Sequence, residues 1–97
     1  MGSTITLRKI TNEMYNADTD NFYRKIGNYS VKRNKYYTGV FIEHFYYGNK
    51  ICQVNVYNKT FELYNCGYDK NPLTTVQLNY LEKFYKEKGF KLKYRGV

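Results

Sequence analysis

Three stretches of alternating apolar and polar residues, separated by short polar turns, constrain the fold of this chain more than any other feature. The stretches are rich in β-branched and aromatic residues, which favour strands, and the turns contain Gly, Asn and Lys. Strands joined in this way are typical of antiparallel hairpins, so the sequence predicts a three-stranded meander. In chain order the strands and turns are 36–47, Gly48-Asn49-Lys50, 51–57, Asn58-Lys59 and 60–65.

The register of the meander follows from a three-residue loop at 48–50, which places Tyr47 opposite Ile51. A two-residue loop would instead bring Glu43 against Val54 in the core, where an unpaired carboxylate is costly. Side chains alternate with a period of two, so the register assigns each residue to one face. The predicted core face carries Val40, Ile42, His44, Tyr46, Cys52, Val54, Val56, Phe61 and Leu63. The opposite face carries Phe41, Glu43, Phe45, Tyr47, Ile51, Gln53, Asn55, Tyr57, Glu62 and Tyr64.

The amino-terminal third is predicted to contain a short strand and a short helix. Residues 4–10 alternate in the manner of a half-buried strand. Asp18-Thr19-Asp20 provides a helix N-cap, and Gly27 ends the two-turn helix that follows. A basic cluster at 32–35 then forms the connection to the meander.

The carboxyl-terminal third is predicted to form a helix and a last strand. Thr74 and Gln77 have the spacing of a capping box, and the helix extends over 75–88 before Gly89. Residues 90–95 alternate strictly, with the aromatic and aliphatic side chains inward and the basic ones outward.

These elements predict one α+β domain over 1–97, since a chain of 97 residues supports a single core. A small antiparallel sheet, made of the central meander and the N- and C-terminal strands, packs against one C-terminal helix, with a short N-terminal helix beside it. No apolar run approaches the length of a membrane span and no signal-peptide pattern occurs, so we expect a cytoplasmic protein without membrane contact.

The residues offer little catalytic chemistry. His44, the single histidine of the chain, falls on the core face, where a hydrogen-bonded structural imidazole is expected. With Cys52 and Cys66 it does not make a four-ligand metal set. No cofactor or metal site and no enzymatic activity are predicted. A metal-dependent nuclease would have to gather three carboxylates: Asp18, Asp20 and Asp69.

Composition points to a binding surface. The chain has thirteen tyrosines, six phenylalanines and a formal net charge of +8, a combination that attracts phosphate or an acidic protein surface. The face of the meander opposite the core could stack unpaired bases or anchor a protein partner, unless the first helix or a second copy of the chain covers it. The predicted binding face carries the aromatic residues Phe41, Phe45, Tyr47, Tyr57 and Tyr64. Its basic rims carry Lys32, Arg33, Lys35, Lys91, Lys93 and Arg95.

Three segments resemble small uncharacterised domains encoded by bacteriophages and other mobile elements. They are the run 34–40, the segment 64–68 and the helix start 73–79, and the resemblance covers about 29–93. Domains of this kind include inhibitors of host defence such as anti-CRISPR proteins. The resemblance implies a protein that acts in the cytoplasm of a bacterial host.

We therefore expect a non-enzymatic, phage-type inhibitor that binds and blocks a nucleic-acid-processing host-defence complex, such as a CRISPR effector. The aromatic face and its basic rims would make the contact, as a monomer or a homodimer. Because the chain is basic, it would contact RNA, DNA or an acidic protein face rather than mimic DNA. The alternative is a stand-alone single-stranded nucleic-acid-binding domain.

Overall fold

The computed structural model describes residues 2–65 and 72–96, with side chains for 6–65 and 75–96. This part of the chain folds into a six-stranded sheet and two helices, which confirms the predicted α+β class. The elements are α1 (Gly2–Tyr15), β1 (Phe22–Ile26), β2 (Tyr29–Tyr36), β3 (Gly39–Tyr46), β4 (Asn49–Asn55), β5 (Thr60–Leu63), α2 (Pro72–Glu87) and β6 (Lys91–Arg95).

The strands lie side by side in chain order, from β1 to β6. Pairing is antiparallel from β1 through β5, whereas β5 and β6 are parallel. The prediction of an all-antiparallel sheet is therefore wrong at this edge. The reason is that α2 connects β5 to β6, and a helical crossover of this length returns the chain to the same end of the sheet.

The predicted strand over 4–10 is wrong, because this segment belongs to α1. Leu7, Ile10, Thr11 and Met14 are all completely buried, and their spacing of three and four residues is that of a helix face. The alternation in the predicted strand covers seven residues, whereas the helical spacing continues to the end of α1.

The predicted helix after Asp18-Thr19-Asp20 is also wrong, since these residues lead into β1. The Arg33 guanidinium of β2 donates to the carbonyl oxygens of Met14 and Ala17, at 2.8 and 3.0 Å, and to that of Thr19. These bonds tie the end of α1 and the following turn to the sheet. Tertiary hydrogen bonds thus override the local capping signal.

The basic cluster over 32–35 lies inside β2 rather than in a connection. The predicted strand 36–47 is divided, because a turn at Tyr37 and Thr38 joins β2 to β3. The meander accordingly has more strands on its amino-terminal side than the sequence predicts.

The β3–β4 loop differs from the predicted three-residue loop. Tyr46 pairs with Asn49, so the turn is Tyr47-Gly48, and both residues have positive φ, 53° and 79°, as a type I′ turn requires. A bulge follows, because His44 pairs with Cys52 but Phe45 pairs with Lys50. The extra residue, Ile51, turns inward and is completely buried, although the predicted register places it on the opposite face.

The β4–β5 connection spans the four residues 56–59 rather than two. The longer turn still leaves each side chain of β5 on the predicted face of the sheet. Val54 pairs with Phe61 and Cys52 with Leu63, and all four side chains are buried.

The carboxyl-terminal helix and strand are confirmed, with shifted bounds. The capping box is not formed as predicted: α2 begins at Pro72, so Gln77 lies in its second turn. The Gln77 amide is buried and has no hydrogen-bond partner in the described part of the chain.

Both helices pack on one face of the sheet and share a single hydrophobic core. Leu7, Ile10 and Met14 come from α1, and Leu78, Leu81 and Tyr85 come from α2. The sheet contributes inward side chains of β2 to β5, including Val31, Ile42, Tyr46, Val54 and Phe61. The second face of the sheet is left without a covering helix among the described elements.

Candidate nucleic-acid interface

The face of the sheet opposite the helices, here called the open face, is defined by three cross-strand rows. Residues paired across antiparallel or parallel ladders point to the same side, so the register identifies each row. The first row is Lys25, Ser30, Phe45 and Lys50; the second is Tyr23, Lys32, Glu43, Gln53, Glu62 and Tyr94; the third is Asn34, Phe41, Asn55, Thr60 and Lys91.

Aromatic rings form two clusters on this face. Tyr36 packs on Phe41 with 6.0 Å between ring centroids, and Tyr57 extends over the neighbouring Gly39. Tyr64 and Tyr94 form the second cluster, at 5.9 Å. Rings that touch one another while remaining partly exposed provide ready platforms for a further planar group.

Gly39 lies directly beside the first cluster. Its φ of 145° lies in a region that side-chain-bearing residues rarely adopt. A Cβ at this position would lie 3.4 Å from Tyr57 Cδ2 and 3.8 Å from Phe41 Cε2. These are ordinary van der Waals distances, so the positive φ, rather than a lack of space, is what favours glycine beneath Tyr57.

The charges of the open face are partly paired. Glu43 lies between Lys32, at 3.8 Å, and Lys50, at 3.1 Å, and Lys50 also donates to Gln53 Oε1 at 2.7 Å. Exposed pairs of this kind add at most about 1 kcal/mol to stability. Their main effect is to remove net charge from the middle of the face.

Near β6, Glu62 pairs with a lysine in the way that Glu43 does in the middle of the face. Lys93 Nζ lies 4.0 Å from its carboxylate, and the Tyr64 hydroxyl donates to Glu62 Oε1. Partial burial and this hydrogen bond raise the pKa of Tyr64 to about 12, so the phenol stays protonated. Lys25 and Lys91, in contrast, form no ion pair within the described part of the chain and are available to a phosphate.

Two hollows indent the open face, and each combines an aromatic ring with a lysine. The larger, of about 360 Å³, is lined by Tyr23, Lys25, Asn28, Ser30, Tyr47 and Gly48. The smaller, of about 160 Å³, is lined by residues of β3 to β6 and the β4–β5 turn, among them Phe41, Gln53, Asn55, Glu62 and Lys93. We refer to them as the turn hollow and the edge hollow.

The structure brings most of the predicted binding residues together. Phe41, Phe45, Tyr57, Tyr64, Lys32, Lys91 and Lys93 lie on the open face, and Tyr47 lines the turn hollow. Tyr57 remains 64% exposed.

Arg33, Lys35 and Arg95 lie on the helix side instead. Arg33 is engaged by the carbonyls at the end of α1, and Lys35 lies 3.6 Å from Asp20. Arg95 donates to Glu82 and, at 2.8 Å, to Asn79 of α2. Grouping basic residues by sequence proximity ignores the alternation of strand side chains, which sends neighbours to opposite faces.

Sequence reasoning missed several open-face residues. Tyr23, which is 62% exposed, and Lys25 are absent from the prediction because their strand is predicted as a helix. Tyr94 is predicted to point inward but is 55% exposed, since a register irregularity between Phe61 and Glu62 reverses the pattern of β6. Lys50 falls within the loop of the wrong register. The alternation of Phe22 and Arg24 with Tyr23 and Lys25 is the signal that could have identified β1.

The described residues contain no group of three or more His, Cys, Asp or Glu side chains that could hold a metal ion. His44 is completely buried, as predicted, and burial lowers its pKa to about 3. Cys52 is buried and unbridged, and burial raises its pKa. Asp18 and Asp20 line a cleft on the helix side with Arg33, whereas Cys66 and Asp69 lie outside the described residues.

Neither described helix is long and apolar enough to cross a membrane. Comparison of the chain with protein-family models, with curated proteins and with solved structures found no match. The fold and the open face define this chain as a small α+β protein in which no described helix covers the second sheet face, and the resemblance to phage-encoded inhibitors stays a prediction.

Proposed function

We propose that this protein is a non-enzymatic nucleic-acid-binding protein whose open face binds single-stranded RNA or DNA. One observation carries the proposal: a sheet face without a covering helix in the described structure presents aromatic rings next to lysines in two separate hollows. Exposed Tyr23 and Tyr47 lie with Lys25 in the turn hollow, and half-buried Phe41 lies with Lys93 in the edge hollow. Base stacking on aromatic rings and phosphate attraction to lysines are the two contributions on which sequence-tolerant single-strand binding relies.

The dimensions of the face suit a short single strand. Six strands at a spacing of about 4.8 Å span roughly 24 Å. A strand crossing the sheet from β1 to β6 passes Lys25, then Lys32 and Lys50, and reaches Lys91 and Lys93 at the far edge. Unpaired bases can reach the recessed rings, whereas the stacked bases of a duplex are held away from a flat sheet.

The experiment is a fluorescence anisotropy titration with labelled homothymidine and homouridine strands of roughly twelve nucleotides. Replacing Tyr23 or Tyr57 by Ala removes one stacking platform, and each is expected to weaken binding by about 1–3 kcal/mol. Tyr37→Ala is the matched control, because Tyr37 is fully exposed at the β2–β3 turn and, unlike Tyr23 in the turn hollow and Tyr57 in the first aromatic cluster, belongs to neither hollow and neither cluster.

Absence of binding to both strands at low salt would overturn the proposal. So would binding that Tyr23→Ala and Tyr57→Ala leave unchanged, since the open face would then not be the binding surface. Magnesium-dependent cleavage of the strand, lost in Asp18→Ala or Asp20→Ala, would show a nuclease instead.

A second candidate function is the phage-type inhibitor of a nucleic-acid-processing complex, for example a CRISPR effector. The observation that favours it is the partly neutralised middle of the open face, where Glu43 and Glu62 offset most of the charge of Lys32, Lys50 and Lys93. Partly neutralised surfaces with tyrosine anchors also suit a protein partner. Stoichiometric loss of effector activity, without affinity for the free strands, would establish this function; light scattering would show whether a monomer or a homodimer acts.

A further inference from the structure

The outer edge of β1 presents backbone groups that no other strand of the described structure takes up. β1 is the first strand of the sheet, and β2 is its one neighbour there. Ile26 and Tyr29 close a two-residue turn, so the backbone groups of residues 22, 24 and 26 bond to β2. The N–H and C=O groups of Tyr23 and Lys25 point outward, and they have no partner in the described part of the chain.

The two edges of the sheet differ in charge. Basic residues on an edge strand normally discourage it from pairing with another strand. On β6 they are Lys91, Lys93 and Arg95, so that pairing two copies of β6 about any of its residues sets basic side chains opposite each other. On β1 there are two, and one of them, Arg24, lies 2.8 Å from the Glu13 carboxylate. The charges therefore permit a second copy of the chain at β1 and oppose it at β6.

The sequence of β1 selects one register for such a pair. Two antiparallel neighbours of the same kind are related by a two-fold axis normal to the sheet, and three registers pair at least three residues of β1 with its copy. The registers centred on Arg24 and on Lys25 place that cation directly opposite itself, which is destabilising. The register centred on Tyr23 avoids this conflict. It sets Arg24 opposite Phe22, and Lys25 opposite Asn21.

We propose that the outer edge of β1 binds a second copy of this chain in the register centred on Tyr23, which makes the protein a two-fold symmetric dimer. Tyr23 exchanges both of its outward backbone hydrogen bonds with Tyr23 of the second copy. Its side chain, 62% exposed in the single chain, packs on its counterpart across the axis as an aromatic cross-strand pair. The Arg24 guanidinium lies opposite the Phe22 ring of the second copy, and aromatic rings attract such cations.

The dimer has one continuous sheet of twelve strands, twice the six of a single chain. Because the axis is normal to the sheet, both open faces lie on the same side and stay uncovered. The joined face extends over roughly 53 Å at a strand spacing of about 4.8 Å. The two turn hollows lie on either side of the axis, since Tyr23 and Lys25 line each of them. This inference goes beyond the proposed function and does not depend on it, because the pairing involves no nucleic acid.

Sedimentation equilibrium of the protein alone tests the dimer, at concentrations from about 1 μM to about 1 mM. The molar mass is expected to rise with concentration from that of one chain toward that of two. Tyr23→Lys sets two ammonium groups opposite each other, and it is expected to raise the dissociation constant of the dimer at least about tenfold. Tyr47→Lys is the matched control and should dimerise like the parent protein. Tyr47 is 59% exposed in the same hollow, but it lies at the β3–β4 turn.

Disulfide formation tests the register. The two Cα atoms of a hydrogen-bonded pair lie about 5.5 Å apart, within the range that a disulfide spans. Tyr23→Cys is therefore expected to give a covalent dimer under mild oxidation. Arg24→Cys and Lys25→Cys are the controls, because each new thiol lies at least about 7 Å from its copy in this register. Cys52 is buried, and Cys66→Ser is introduced into every variant, so that the added thiol is the one that reacts.

A molar mass that stays that of one chain at every concentration would overturn the dimer. Dimerisation that Tyr23→Lys leaves unchanged would place the interface elsewhere on the molecule and overturn the assignment to β1. A disulfide that forms equally well in Arg24→Cys or Lys25→Cys would overturn the register centred on Tyr23. The nucleic-acid titrations decide none of these outcomes, so the open-face function and the dimer can fail separately.

Discussion

The hydroxyl of Tyr85 lies 2.7 Å from Nε2 of His44, and both side chains are completely buried. The other ring nitrogen, Nδ1, lies 3.0 Å from the hydroxyl of Tyr29. A neutral imidazole carries one donor and one acceptor, so one tyrosine donates to the ring and the other accepts from it. The three side chains join α2, β3 and β2 through the middle of the core, and they satisfy a polar group that would otherwise destabilise it.

Replacing Tyr85 by Phe is expected to lower the free energy of unfolding by about 1–3 kcal/mol, because it leaves Nε2 of a buried imidazole without a partner. Chemical denaturation followed by circular dichroism measures the change. Tyr37→Phe, at a fully exposed position, is the control and should have no effect. An unchanged midpoint in Tyr85→Phe would show that the contact does not contribute to stability.

The burial of His44 also makes the free energy of unfolding depend on pH. The folded-state pKa of His44 is about 3, against an ordinary value of 6.5, because burial disfavours the imidazolium. As pH falls below 6.5, the unfolded chain gains a proton that the native chain does not, so the native state loses stability. The loss continues until pH approaches 3 and totals on the order of 5 kcal/mol.

Unfolding measurements between pH 7 and pH 5 isolate this effect, since the slope approaches about 1.4 kcal/mol per pH unit where one proton is taken up. The Glu82 carboxyl responds in a lower window: hydrogen bonds from Lys86 and Arg95 lower its pKa below 4.5, so its contribution is lost only as pH falls further. His44→Gln, although less stable, should show a flat profile from pH 7 to pH 5. A slope retained in that variant would assign the dependence to other groups.

Arg33 is expected to hold the end of α1 against the sheet. Its guanidinium reaches three carbonyl oxygens at once, and a lysine ammonium cannot reproduce this planar arrangement. Hydrogen bonds from a charged donor contribute about 1.5–3 kcal/mol, so both Arg33→Lys and Arg33→Ala should lower stability by that order.

Amide hydrogen exchange gives the local readout for Arg33. Exchange over 14–20 should accelerate more than exchange in β3 to β5. Lys35→Ala is the control, because it removes only an exposed pair with Asp20 and should change stability by less than about 1 kcal/mol. Equal effects of Arg33→Ala and Lys35→Ala would contradict the structural role of Arg33.

The alternation of apolar and polar residues predicts the faces of the central strands correctly, whereas the local patterns of the amino-terminal third predict the wrong elements. The parity of Ile42, His44, Val54 and Phe61 is correct because one buried face requires it, even though both meander turns are wrong in length. The amino-terminal third is wrong because its conformation depends on Arg33, which acts from 14 to 19 residues away. A capping pattern within ten residues cannot report such a contact.

The residues of the candidate site could likewise be predicted from the sequence only in part. Phe41, Phe45 and Tyr64 follow directly from parity. The inward turn of Ile51 and the outward turn of Tyr94 depend on irregularities between paired strands, which no single strand encodes. The small pocket that Thr6 and Gln77 line with the β1–β2 turn could not be predicted, since it arises where both helices meet that turn.

The lysines of the open face should differ in their contribution to salt dependence. Lys91 has no carboxylate partner in the described structure, so its contact with a phosphate releases a counterion. Lys91→Ala is therefore expected to reduce the slope of log affinity against log salt by about 1. Lys32 already lies 3.8 Å from Glu43, and Lys32→Ala should reduce the slope by less because Glu43 offsets part of its charge.

Lys83→Ala, on an exposed position of α2, serves as the control and should leave the slope unchanged. Anisotropy titrations of the homothymidine strand at several salt concentrations measure all three slopes. A reduction by Lys83→Ala equal to that by Lys91→Ala would mean that the overall charge of the protein, rather than the open face, determines the interaction.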